Sequence, residues 1–129
     1  MRFAVLLSMM VSTPAFACNS DMLTVLEWTA TKNENSRSLP VLLEAKVQYQ
    51  GDHAFRMIHA GVMFSDVLGQ SLGQVNLDRD RPAKPGETLV ADGQTGAKER
   101  ILTINRDDIV YRTCVWSIVY DDGTKEEFK

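Results

Sequence analysis

The chain has 129 residues, a formal net charge of −3 and 44% hydrophobic residues, which suits one domain with a buried core and leaves too little chain for two. No basic stripe or cluster interrupts the mild acidic balance, so nucleic acid and anionic membrane surfaces are excluded as expected partners.

Met1-Arg2, the apolar run Phe3 to Val11 and the sequence Ala15-Phe16-Ala17 predict a secretory signal peptide over 1–17, cleaved after Ala17, and too short to span a bilayer. Cleavage removes Arg2 and makes the mature domain, 18–129, one unit more acidic. No later stretch reads as a transmembrane segment. Export to an oxidising compartment, the periplasm of a Gram-negative envelope, follows as the expected location. It also predicts that the two cysteines, Cys18 and Cys114, form a disulfide, since only one pairing exists. The alternative is a lipid anchor on Cys18, for which Ala15-Phe16-Ala17-Cys18 is a poor lipobox.

Leu23 to Thr31 alternates imperfectly, and its Thr, Val and Trp content favours a strand over a helix with Met22, Val25, Leu26 and Thr29 on one face. The polar stretch Lys32 to Ser38 connects it to Val41–Gln50, where Val41, Leu43, Ala45, Val47 and Tyr49 alternate with polar residues except at Leu42. That is a half-buried strand. After Gln50-Gly51-Asp52-His53, the strand Phe55–Asp66 turns Ile58, Ala60, Val62 and Phe64 inward, and the two strands read as an antiparallel hairpin. A turn at Asp66-Val67-Leu68-Gly69 leads to a shorter strand, Ser71–Leu77. The alternating charges of Asp78-Arg79-Asp80-Arg81 read as a solvated edge or loop. Further strands are predicted at Glu87–Ala91 and Glu99–Ile104, with a loop over Asp92–Ala97 between them.

Ile109–Tyr120, IVYRTCVWSIVY, is the longest apolar run of the mature chain and the expected central strand. Apolar residues on both alternating sets mean that both faces are at least partly covered. Asp122-Gly123 suits a two-residue hairpin turn into Thr124–Phe128. The whole pattern predicts an all-β domain, an antiparallel immunoglobulin-like β-sandwich of about eight short strands. Trp28 and Trp116 are expected in its core, beside the disulfide.

Val47, the strand Val62-Met63-Phe64, the Asp66-x-x-Gly69 turn and Pro85-Gly86-Glu87 give the stretch Leu43–Leu89 a partial resemblance to the FxLYD-type immunoglobulin-like modules of exported bacterial proteins. The resemblance implies a non-enzymatic exported module and brings no catalytic residues with it. The chain departs from that pattern at Gln50-Gly51-Asp52, where such modules often have an Asn-containing turn.

The residues themselves also predict no enzyme. Two histidines, no nucleophile elbow and no phosphate, dinucleotide or zinc motif leave a small hydrolase as the least favoured option, and no cofactor is expected. Carboxylates at Asp107, Asp108, Asp121, Asp122, Glu126 and Glu127 read as solvated turn residues. Arg56 and Arg112 read as exposed guanidinium groups with buried stems, or as members of ion pairs. One pattern points to metal chemistry. His53, Met57, His59 and Met63 share parity in one strand region, and imidazole with thioether suits Cu(I) in an exported protein. Met57 and His59 are the credible pair, Met63 needing a bend to join them. The competing reading packs the methionines under neighbouring chain and leaves the histidines wet. The primary expectation is therefore a module that binds an unidentified protein or other ligand, with copper handling as the alternative.

Overall fold

The computed structural model describes residues 18–95 and 98–128; the signal-peptide expectation lies outside them. Among the described residues, seven strands run in the order β1 (Leu23–Lys32), β2 (Val41–Tyr49), β3 (Phe55–Asp66), β4 (Ser71–Asn76), β5 (Thr88–Thr95), β6 (Ile109–Tyr120) and β7 (Lys125–Glu127). They form a three-stranded sheet, β1-β2-β5, and a four-stranded sheet, β4-β3-β6-β7. All pairings are antiparallel. Consecutive pairs β1-β2, β3-β4 and β6-β7 stay within a sheet, while the other connections cross between sheets. This is an immunoglobulin-like sandwich with β4 on the larger sheet. No helix among the described residues is long and apolar enough to cross a membrane.

The core is built from the period-2 pattern. Val41, Leu43, Ala45, Val47 and Tyr49 of β2 are all buried, as are Ile58, Ala60, Val62 and Phe64 of β3. Four bulges break the alternation, one of them at Leu72 in β4, where Leu72 and Val75 are both buried. An extra residue at Leu26 in β1 lets both Leu23 and Trp28 face inward, five positions apart. An extra residue at Arg56 does the same for Phe55 and Ile58. In β6 the extra residue is Trp116: Ile109, Thr113 and Val115 are buried before it and Ile118 after it. Each bulge shifts the phase by one residue, so that apolar residues of opposite parity reach one core. The imperfect pattern of β1 and the two-sided pattern of β6 both have this cause.

Trp28 lies in the core against Phe64, with ring centroids 5.1 Å apart, and the Arg106 guanidinium covers its ring at 3.7 Å. Trp116 does not. The bulge turns it to the outer face of the larger sheet, where it is half-buried, which corrects the expectation of two core tryptophans.

Glu99–Ile104 is not a strand. Glu99–Leu102 forms a 3-10 turn closed by Ile101 N–H to the Lys98 carbonyl and Ile104 N–H to the Arg100 carbonyl, with Ile101 buried. Apolar residues three apart suit that turn as well as a ragged strand. A second 3-10 turn, Arg106–Asp108, is capped by the Asn105 side chain, which accepts from Asp107 N–H at 3.0 Å. Conversely β5 extends to Thr95 through the predicted loop, because Asp92 and Gly93 pair with Glu44 and Leu43 of β2. The remainder of that loop, 96–97, lies outside the described residues. Among the described residues the strand count is thus seven, Glu99–Ile104 forming no strand.

Cys18 and Cys114 are bridged across 96 residues, with Cα atoms 5.3 Å apart. The Cys18 sulfur is therefore committed to the bridge and not available for a thioether-linked lipid. Asn19 exchanges both backbone hydrogen bonds with Val115, at 2.9 and 2.8 Å, adding a single-residue pairing to β6. The Thr113 hydroxyl lies 3.0 Å from the Ser20 and Leu23 carbonyl oxygens and holds the crossing from this sheet to β1. The β3-β4 and β6-β7 hairpins share one design, a three-residue loop whose last member is a glycine with positive φ, Gly69 at 90° and Gly123 at 87°. Asp66 N–H donates to the Gln70 carbonyl and Tyr120 N–H to the Thr124 carbonyl to close them. The second is longer by one residue than the turn its Asp-Gly pair suggests.

Candidate functional site

The outer face of the larger sheet carries the sequence-predicted ligand residues, and the strand geometry separates them. Met57, His59 and Met63 lie outward on β3, opposite Val119, Ser117 and Arg112 of β6. Met57 and His59, two residues apart, line one shallow concavity of about 90 Å³ with Ser117, Val119, Arg79 and Lys125; Ile58 and Ile118 also border it, with their side chains turned into the core. Met63 stands about 13 Å further along the strand, beyond Gly61, and is not part of this lining. His53 sits in the turn before β3 and belongs to a different depression. The structure therefore brings Met57 and His59 together and leaves His53 and Met63 apart from them. Among the described residues no three or more His, Cys, Asp or Glu side chains are grouped to hold a metal ion.

The bulge at Trp116 borders the concavity without lining it. It places the indole beside His59, with ring centroids 4.7 Å apart and planes inclined at 36°. Partial burial, then the nearby Arg79 charge, pushes the His59 pKa below its ordinary value and so favours the neutral imidazole. Arg79 comes from the β4-β5 connection, whose backbone is fixed on β3 by Ile58 N–H donating to the Arg79 carbonyl at 3.0 Å. Lys125 comes from β7 and is paired with Glu127 at 2.6 Å, both side chains largely exposed. The two cations thus flank the β3-β6 pair from opposite sides. Arg56 and Arg112 are both exposed.

The second depression, of about 350 Å³, is lined by His53, Ala54, Tyr120, Asp121, Asp122, Thr124 and Glu126. Tyr120 donates to Glu126 Oε2 at 3.3 Å, and its pKa is pushed up to about 12 by burial and by the Glu126 charge. Asp122 accepts from the Thr124 hydroxyl and N–H at 2.6 and 2.9 Å, which lowers its pKa. Those bonds tighten the hairpin. The Tyr49 hydroxyl donates to the His53 carbonyl at 2.6 Å and fixes the neighbouring turn.

Comparison with protein-family models, curated proteins and solved structures finds no match to the chain. Sequence reasoning missed Arg79 and Lys125 as members of the concavity, and Trp116 as the neighbour of His59. Trp116 has the parity of a covered strand face, and its exposure depends on a bulge that no residue announces. Arg79 and Lys125 are 46 positions apart and meet only through the sheet order.

Proposed function

We propose that the chain is an exported, non-catalytic β-sandwich module that binds a protein or other ligand in the periplasm. The observation that carries this reading is the outer face of β3 and β6. There Met57, 44% exposed, gathers with His59, Arg79 and Lys125 around a concavity, and Trp116 lies against His59. Aromatic, Met and Arg side chains are the types enriched in protein interfaces. The buried polar side chains serve the scaffold: Asn33 donates to the Leu39 carbonyl, Asp66 binds its own hairpin and Arg100, and Thr113 holds the N-terminal crossing. The disulfide and the leader-like start support export, and the resemblance to FxLYD-type modules points the same way. The test is lysine-directed cross-linking in an intact cell envelope, followed by mass spectrometry of the adducts. Discrete, saturable adducts are expected. An uncross-linked chain, or turnover of chromogenic ester, phosphate or glycoside substrates by the purified protein, overturns the reading.

A second reading, Cu(I) handling, is favoured by one observation: Met57 and a neutral His59 face the same concavity. A thioether and an imidazole suit a soft monovalent ion, whereas Arg79 and Lys125 beside them repel any cation. Competition with a Cu(I) chelator tests it. Affinity lost in Met57→Ala and in His59→Ala supports metal handling, and affinity unchanged in both removes it.

A further inference from the structure

Resting on the binding-module reading, we propose that the concavity around Met57 and His59 is the contact site, and that it takes one apolar side chain of a protein partner flanked by acidic residues. The volume of about 90 Å³ is far below that of a small-molecule pocket, roughly 300 Å³ or more, and suits a single aliphatic anchor. The apolar side chains that face the concavity are Met57 and Val119, since those of Ile58 and Ile118 point into the core, and one side is His59, whose ring meets Trp116.

The rims set the charge of the partner. In a chain of net charge −3, two cations from separate elements stand on either side of this one concavity. The groups facing it are Arg79, Lys125 with its partner Glu127, the neutral His59 and the Ser117 hydroxyl. Asp78, next to Arg79, spends one carboxylate oxygen on the Asp80 N–H of its own turn. The Lys125-Glu127 pair is solvent-exposed and contributes little, so a partner carboxylate competes for the ammonium group. Acidic residues on either side of the anchor meet a cation each. This charge complementarity speeds encounter and excludes basic segments.

The site is also held in shape. The bulge residue Trp116 follows Cys114 of the disulfide and Val115 of the Asn19 pairing, and its carbonyl accepts from Phe128 N–H at 3.0 Å. Covalent and hydrogen-bonded restraints thus converge on consecutive residues that end at the half-buried Trp116 ring. Pre-organisation of this kind lowers the cost of binding.

The experiment uses the oxidised mature protein with labelled methionine methyls and labelled tryptophan indoles, titrated with acetyl-Asp-Leu-Glu-amide and, separately, acetyl-Lys-Leu-Lys-amide. Saturable shifts at Met57 and Trp116 with the acidic peptide alone are expected. The double variant Arg79→Glu, Lys125→Glu, at two exposed positions, should keep the core methyl spectrum and bind the acidic peptide about tenfold more weakly or less still. Equal response to both peptides, no response at Met57 and Trp116, or concentration-dependent shifts without peptide, which report a second copy in the site, each overturn the proposal. Envelope adducts that persist in such a case keep the binding function and move its contact elsewhere. Loss of both the adducts and the peptide response removes the function as well.

Discussion

Gly61 stands in the middle of the outward row of β3, with Asn76 of β4 paired against it. A Cβ at Gly61 would run into the Asn76 side-chain oxygen and come within 2.7 Å of the Val75 carbonyl oxygen. The carbonyl belongs to a paired strand and has little room to yield. Gly61→Ala is therefore expected to cost about 1–3 kcal/mol, read as a lower denaturation midpoint with an unchanged slope. Asp66 gives a pH signature. Arg100 bound to it, then the Gln70 and Leu68 N–H groups, lowers its pKa. The folded state then holds its proton less tightly than the unfolded state. Stability from Asp66 is present in full above the unfolded-state value, about 4, and is lost as pH falls through the lower folded-state pKa. In Asp66→Asn the acid limb of stability against pH should flatten; a limb identical to wild type counts against this assignment. The turn at Asp66 is legible in the sequence as Asp-x-x-Gly. Its partner Arg100, 34 residues away, is not, since that pairing is made by the 3-10 turn that sequence periodicity reads as a strand.

The β3-β4 hairpin separates two leucines that a propensity scale treats alike. Leu68 at its tip is 92% exposed, and Leu72 just beyond is fully buried. Leu68→Ser should change stability by no more than about 0.5 kcal/mol, whereas Leu72→Ala should cost about 2–5 kcal/mol; paired urea titrations check both. Strong, uninterrupted alternation made β2 and most of β3 readable, down to the residues that face the core. The bulges at Leu26, Arg56 and Trp116 were not readable, because an inserted residue is defined by the partner strand it fails to match. The same limit applies to the site. Met57 with His59 follows from parity within one strand, while Trp116 against His59 and the Arg79 and Lys125 rims come from three other segments.

For the molecule as a whole, the sandwich class and the disulfide were both within reach of the sequence: repeated short strands leave few other architectures, and two cysteines leave one bond. The three-plus-four division of strands was not, since each crossing depends on how facing apolar sets fit. Reducing the bridge opens a loop of 96 residues in the unfolded ensemble and should cost up to about 4–5 kcal/mol. The expected result is a folded but less stable protein in reductant, with an earlier thermal midpoint; equal midpoints in the two redox states would show that the bridge contributes nothing.

The bridge also decides how the domain answers a mechanical load. A pull applied between Cys18 and Phe128 passes straight through the sulfurs into β6, so only the stretch from Val115 to Phe128 can be drawn out, about 50 Å of chain at full extension. Everything from β1 to β5 lies inside the covalent circle and is shielded from the tension. Once reduced, the same pull reaches every strand in turn and can pay out several hundred ångströms. The oxidised protein behaves as a short tether with a protected body, and the reduced one as a thread.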